Sequence, residues 1–205
     1  VKICGVTNAA DAEAAIEFGA DALGFNFFRG SKRYVSLDAA KGWMANLPTE
    51  IAKVAVVVDL DWDEAVSLAA LPFISALQLH GRETPEFCRK LAEEGIRFAK
   101  ALPVTTRDSL RDLPRFFTRT VVLDSASAGE FGGSGRTFRW ELGREFVEAN
   151  PDLRVILAGG LTPENVAAAV EAVGPFGVDV TSGVESSPGR KDRGLLRAFI
   201  AAARG

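Results

Sequence analysis

A thiol and a carboxylate, each closing a short apolar run, are the groups in this chain best suited by type to move protons. Cys4 ends Lys2-Ile3-Cys4 and Asp124 ends Val122-Leu123-Asp124. Glycine or small polar residues follow each within a few positions, as where a buried strand opens into a loop. If both strand ends face one pocket, they form an acid/base pair. A thiol serves as a base near neutral pH when its pKa is lowered, and a carboxylic acid donates when its pKa is raised. Such a pocket has to push two groups in opposite directions. Taken singly, Cys4 reads equally as an inert buried hydrophobe and Asp124 as a cap or structural carboxylate.

The elements that position them follow a strict alternation. Strand-like runs cover 1–4, 22–27, 52–58, 76–79, 98–101, 120–124, 154–158 and 177–181. Helical patterns cover 9–18, 37–47, 62–70, 85–94, 107–115, 140–149, 163–173 and 194–203. Spread over eight pairs, the 205 residues give units of roughly 26 residues, a length that suits βα repeats on a parallel sheet. Runs such as Val54-Ala55-Val56-Val57-Val58 are apolar throughout, the pattern of strands covered on both faces. Thr7-Asn8, Ser36, Thr84-Pro85 and Thr162-Pro163 mark helix starts; Gly19, Gly95 and Gly174 mark ends. The expected fold is α/β, a single-domain (β/α)8 barrel over residues 1–205. An open doubly wound sheet fits less well, because the first turn, Cys4-Gly5-Val6-Thr7, lacks a GxGxxG fingerprint.

Functional groups in such a barrel gather at the C-terminal ends of the strands. Those positions hold Cys4, Asn26 with Arg33, Asp59, Gln78 with His80, Lys100, Asp124, Gly159-Gly160, and Asp179 with Ser182-Gly183. The paired glycines after strands seven and eight let backbone N–H groups approach an anion, which makes Gly159, Gly160, Ser182 and Gly183 the expected phosphate cradle. The plainer reading is tight turns. Arg33 sits in a basic loop and is able to grip a carboxylate through two parallel hydrogen bonds; solvated charge is the alternative. The glycine-rich stretch 125–136 reads as a lid or phosphate-contacting flap, or simply as a connection. His80, followed by Gly81, is expected to order a loop, and Cys88 to pack as a small hydrophobe. Trp43, Trp62 and Trp140 fall in helical runs and read as packing residues.

Composition narrows the function classes. The formal net charge of −3 offers no general attraction to nucleic acid or to an anionic membrane, so any anion site is local. A single histidine and two isolated cysteines exclude a multi-histidine metal site and a zinc cluster. Two cysteines in a chain this size are not a disulfide scaffold. No apolar run approaches the roughly 20 residues needed to span a bilayer. The chain opens inside a strand-like run without a basic, apolar leader, and a cytoplasmic location is expected.

The assembled motifs resemble the phosphoribosylanthranilate isomerase family of tryptophan biosynthesis. They run in order from Lys2-Ile3-Cys4-Gly5-Val6-Thr7 through Ser31-Lys32-Arg33-Tyr34-Val35, Gln78-Leu79-His80-Gly81 and Leu123-Asp124. Gly132-Gly133-Ser134-Gly135, Leu157-Ala158-Gly159-Gly160-Leu161, Asp179-Val180-Thr181-Ser182-Gly183-Val184-Glu185 and Pro188-Gly189-Arg190-Lys191-Asp192 continue them. The resemblance implies an Amadori rearrangement of N-(5-phosphoribosyl)anthranilate to 1-(2-carboxyphenylamino)-1-deoxyribulose 5-phosphate, with no metal or organic cofactor. By the same resemblance Asp124 is the general acid that opens the furanose to an iminium, and Cys4 is the general base at C2. Arg33 would hold the anthranilate carboxylate. The loops at Gly159-Gly160 and Ser182-Gly183 would bind phosphate, with Gly133 and Ser134 closing over it. Gln78, His80 and Asp179 are expected as supporting residues. The implied partner is this small molecule, with no nucleic acid or membrane, the chain being a monomer or homodimer.

Lys32, Asn26 and Arg139 depart from the commonest family pattern, and none replaces a proposed catalytic group. A ketol-isomerase of histidine biosynthesis would rely on paired aspartates, and an indole-glycerol-phosphate synthase on a lysine acid and a longer N-terminal extension. A non-catalytic phosphate-binding barrel would have no need for Cys4 and Asp124 together.

Overall fold

The computed structural model describes residues 1–106, 116–125 and 139–205. Eight parallel strands close into a barrel in sequence order: β1 (Lys2–Cys4), β2 (Ala22–Asn26), β3 (Ala52–Val57), β4 (Ala76–Leu79), β5 (Phe98–Pro103), β6 (Thr120–Asp124), β7 (Arg154–Leu157) and β8 (Gly177–Val180). Closure comes from β1 pairing with β8, which sets Lys2 beside Asp179 and Ile3 beside Val180. On its other edge β1 sets Cys4 beside Gly24 of β2. These two register pairs build much of the site.

The described helices are α1 (Ala9–Glu17), α2 (Leu37–Ala45), α3 (Trp62–Ala69), α4 (Pro85–Glu93), α5 (Trp140–Ala149), α6 (Val166–Val173) and α7 (Arg193–Arg204). Their starts follow local chemistry: the Asn8, Ser36 and Thr84 side chains accept from the backbone N–H of Asp11, Ala39 and Phe87. Asp61 and Glu64 close a capping box on α3. The helix expected over 107–115 lies outside the described residues.

Two expectations are corrected. Helix α6, expected from Pro163, begins at Val166, because the Asn165 side chain accepts from Thr162 N–H and donates to the Gly160 carbonyl, folding 162–165 into a turn. The segment after β8 is not a plain loop. It forms a 3-10 turn (Ser182–Val184) and an antiparallel hairpin of β9 (Glu185–Ser187) and β10 (Arg190–Lys191). That hairpin docks on the β1–α1 loop, where Thr7 Oγ1 donates to the Gly189 carbonyl and Asp11 accepts from Lys191 N–H.

Strand parity divides the core. Ile3, Leu23, Phe25, Leu157, Val178 and Val180 face outward and pack against helix residues such as Leu196 and Phe199. Inside the barrel, Ala99, Ala101, Val122 and Ala158 form a separate small-residue cluster. Successive side chains of a strand point to opposite faces, so Lys2 and Cys4 share the inner face while Ile3 lies in the outer core. The tryptophans pack as expected: Trp43 meets Phe25 edge-on at 5.7 Å and Trp62 meets Phe87 at 5.9 Å.

Candidate active site

A cavity of about 630 Å³ opens at the C-terminal ends of the strands, and Cys4, Arg33, Gln78, His80, Asp124 and Asp179 line it together with Gly159, Gly160 and Ser182. The acid/base pair inferred from two distant segments therefore shares one pocket. Gly133 and Ser134 lie outside the described residues. Gly183 is not on the cavity wall: a Cβ there would stand 1.9 Å from the Leu161 carbonyl oxygen, so its bare backbone lets the loops after β7 and β8 touch. Gly159 and Gly160 hold φ of 85° and 63°, the left-handed region that favours glycine. Asn165 fixes the same turn from behind.

Asp124 is buried, with one carboxylate oxygen 3.2 Å from His80 Nε2. On the other side of the ring, Gln78 Nε2 donates to His80 Nδ1 at 3.0 Å, which places the ring proton on Nε2, facing Asp124. His80 thus bridges two inward-facing groups and orients the carboxylate. It does not order the loop, contrary to expectation. Loop order falls to Glu83, which accepts from the N–H groups of Asp59 and Gly81 and pairs with Lys100 at 2.7 Å. Asp59 and Lys100, expected in the ring of functional groups, are not on the cavity wall. Lys100 has the parity of Phe98, which faces the helices, and its ammonium lies over the Phe116 ring.

Around Cys4 the groups are ionic. Lys2 Nζ donates to Asp179 Oδ2 at 2.7 Å, and its positive charge also acts on the Cys4 thiol. Burial pushes the Cys4 thiol pKa up, and the Lys2 and Lys191 ammonium groups draw it back without overcoming that push. Desolvation at a nearly closed strand end thus outweighs two lysines. Burial also works against the Lys2 ammonium, but Asp179 and Cys4 outweigh it and hold its pKa above the ordinary lysine value. Asp179 Oδ1 is buried without a partner among the described residues and belongs to a cavity-lining side chain.

Arg33 is not a free fork. Its Nε and Nη2 donate to Glu185 at 3.0 and 2.8 Å, and Glu185 also accepts from Lys191 at 3.0 Å. Glu185 occupies one edge of the guanidinium, and Nη1 has no hydrogen-bond partner among the described residues. The trio of Arg33, Glu185 and Lys191 keeps one net positive charge. Gly5 makes room for it, since a Cβ there would meet Arg33 Cδ at 2.8 Å. Lys191 further donates to the Cys4 and Thr181 carbonyls, tying the hairpin to the ends of β1 and β8. Lys2, Glu185 and Lys191 are the functional neighbours that sequence reasoning left without a role. For Lys2 the signal was there: it stands two residues before Cys4 and so shares its face.

A sequence model described as N-(5′phosphoribosyl)anthranilate (PRA) isomerase matches residues 1–202. The chain belongs to this family. The isomerase of Thermotoga neapolitana is 43% identical over 205 residues, covering 100% of this chain and 98% of that protein. A solved phosphoribosyl anthranilate isomerase from Thermotoga maritima superposes with a TM-score of 0.90 at 40% identity, covering 100% and 98% of the two chains. Another solved isomerase, 38% identical with a TM-score of 0.86 over 100% and 97% of the chains, is in complex with reduced 1-(o-carboxyphenylamino)-1-deoxyribulose 5-phosphate. The chain is accordingly a phosphoribosylanthranilate isomerase that carries out the Amadori rearrangement of tryptophan biosynthesis. Among the described residues no helix is long and apolar enough to cross a membrane, and no group of three or more His, Cys, Asp or Glu side chains is placed to hold a metal ion.

Proposed function

We propose that Cys4 and Asp124 divide the rearrangement between them as base and acid. Asp124 protonates the ribose ring oxygen, the C1–O bond breaks, and the anthranilate nitrogen takes up the charge as an iminium. The Cys4 thiolate then removes the C2 proton, and the electron pair of that C–H bond forms the C1=C2 bond of a neutral enolamine. The enolamine relaxes to the ketone as a proton adds at C1 and the C2 hydroxyl proton leaves; the substrate gains no net proton, and exchange of the Cys4 proton with solvent and reprotonation of Asp124 restore the starting pair. Removing a proton beside an iminium is far easier than beside a neutral carbon, so ring opening comes first. What supports the reading is that both groups line one cavity whose two ends suit the two ends of the substrate.

At one end, Nη1 of Arg33, on a guanidinium held by Glu185, suits the anthranilate carboxylate. At the other, the backbone N–H groups around Gly159, Gly160 and Ser182 suit the phosphate, with Gly183 letting the two loops pack together. His80 and Gln78 orient Asp124. The unpartnered Asp179 Oδ1 suits a hydroxyl donor of the sugar. The proposed steps use these side chains alone, in one barrel domain over 1–205 that works in the cytoplasm as a monomer or homodimer, apart from nucleic acid and membrane.

Turnover is followed by loss of substrate fluorescence in the presence of a chelator. Cys4→Ser and Asp124→Asn each are expected to lower kcat by at least ~10²-fold, the usual scale of acid/base groups, while product still binds. Turnover that survives in both variants would overturn the assignment.

A further inference from the structure

Beneath the cavity, the inner face of the barrel carries a buried ion pair that the established reaction does not call for. Lys2 and Asp179 are register partners across the β1–β8 seam, both about 95% shielded from solvent, with Nζ and Oδ2 2.7 Å apart. Taking two charges out of water is costly, and a pair of apolar residues in the same place is often at least as stable. Stability alone is therefore a weak reason for the pair to stand here.

Its surroundings point to a second reason. The Lys2 ammonium that donates to Asp179 also stands next to the Cys4 thiol, since both reach the one position beside Gly24. The two groups crowd against the same residue on the neighbouring strand: a Cβ on Gly24 would lie 2.6 Å from Cys4 Sγ and 3.1 Å from Lys2 Nζ. Gly24 is the register partner of Cys4, and its missing side chain leaves the space that both thiol and ammonium border. Asp179 fixes the ammonium from the far side through Oδ2 while Oδ1 stays unpartnered.

We propose that Lys2 is a positioning residue for the base, its ammonium held by Asp179 beside Cys4 so that the thiolate, when it forms, has a counter-ion at the cavity floor. This rests on the reading of Cys4 as base. Before proton transfer, the thiolate and the Asp179 carboxylate share the Lys2 charge. In the transfer the C2–H bond breaks, the S–H bond forms, and the released pair becomes the C1=C2 bond that quenches the iminium. Lys2 and Asp179 remain afterwards as a neutral ion pair, so the site needs no charge from solvent at either stage. Lys191 also faces the end of β1, where its ammonium is held by the Cys4 and Thr181 carbonyls and by Glu185. The charged groups facing Cys4 are thus Lys2, Asp179 and Lys191, with Asp124 on the shared cavity wall.

The test reads the thiol directly, in a Cys88→Ala background where Cys4 is the sole cysteine. Alkylation of Cys4 by iodoacetamide is measured against pH. In Lys2→Met the rate at pH 8 is expected to fall at least ~10-fold, the effect of a one-unit rise in the pKa of a mostly protonated thiol. The acidic limb of kcat/KM should move to higher pH by about the same unit, with KM changed less than about threefold, as for a group that acts on the base and not on ground-state binding.

Lys2→Met strands a buried carboxylate, so the double variant Lys2→Met/Asp179→Asn is measured in parallel. It removes the ammonium without leaving an unpaired charge. Because the Asp179 carboxylate itself pushes the thiol up, the double variant is expected to slow alkylation less than the single one does, but still by at least ~3-fold, or about half a pKa unit. Alkylation rates within about twofold of the parent in the folded variants would overturn the role of Lys2, since a loss of less than ~0.4 kcal/mol is outside what a contacting charge supplies. That result would leave Cys4 as base untouched. The base assignment fails separately, if Cys4→Ser turns over normally.

Discussion

Two trios of cysteine, lysine and carboxylate lie on opposite sides of the barrel wall. Inside are Cys4, Lys2 and Asp179; outside, under the helices, are Cys88, Lys100 and Glu83. The lysine–carboxylate distance is 2.7 Å in both, and all six residues are buried. What separates them is where the remaining valences go. Lys100 is saturated by the Leu79 and Gly81 carbonyls and by Glu83, and Glu83 by the N–H groups of Asp59 and Gly81. The outer trio is a clasp between the loops after β3 and β4, and Cys88 beside it is pushed up by burial to about 11. In the inner trio Lys2 stands beside the thiol, one oxygen of Asp179 has no partner among the described residues, and the cysteine lines a cavity. The same three functional groups become structure or chemistry according to strand parity and access.

The largest expected contrast is between the two thiols. Cys4→Ser should lower kcat by ~10²- to 10⁴-fold, whereas Cys88→Ala should leave kcat within about twofold and cost only about 1 kcal/mol of stability for the deleted sulfur, read from steady-state rates and urea midpoints. Next comes the outer ion pair. Lys100→Met leaves Glu83 buried and uncompensated and should destabilise the fold by about 3–5 kcal/mol, measured by urea denaturation. A loss below about 1 kcal/mol would mean that the outer trio is not the clasp described.

A smaller effect is expected at Gly24, where an added methyl pushes directly on Cys4 Sγ. Gly24→Ala should lower kcat by about 10- to 100-fold, the scale of a catalytic group displaced by about an ångström, with the far-UV spectrum unchanged. An unchanged kcat would show that the thiol–ammonium spacing is unimportant.

The smallest effect concerns Glu185. Burial raises its pKa, but Arg33 and Lys191 outweigh that and leave it below the ordinary 4.5. A depressed folded-state pKa contributes stability that is fully present above the unfolded value and is lost as pH falls through the folded one. The urea midpoint of the parent should therefore drop below about pH 4.5 more steeply than that of Glu185→Gln; parallel curves would remove Glu185 from the acid sensitivity.

Much of this arrangement was legible in the sequence. The eightfold alternation of apolar runs and amphipathic stretches carried the barrel, and strand-end positions brought Cys4, Asp124 and Arg33 to one pocket. Position along a strand did not reveal direction, which is why Asp59 and Lys100 were expected at the cavity and lie elsewhere. The role of Lys2 depends on its register with Asp179, 177 residues away, and only the closed sheet supplies that. The β9–β10 hairpin escaped notice because strands of three and two residues carry no periodicity, yet it delivers Glu185 to Arg33. The burial of Cys4, which opposes its ionisation, follows from packing and not from any local motif.

The central claim, that the barrel wall separates a thiol in the substrate pocket from an inert one, is tested most directly by peptide-resolved alkylation of the native protein at pH 8, with and without product. The account predicts that iodoacetamide labels Cys4, that product protects it, and that Cys88 stays unlabelled until the protein unfolds. Labelling of Cys88 as fast as Cys4, or of Cys4 at the same rate with product bound, would contradict it.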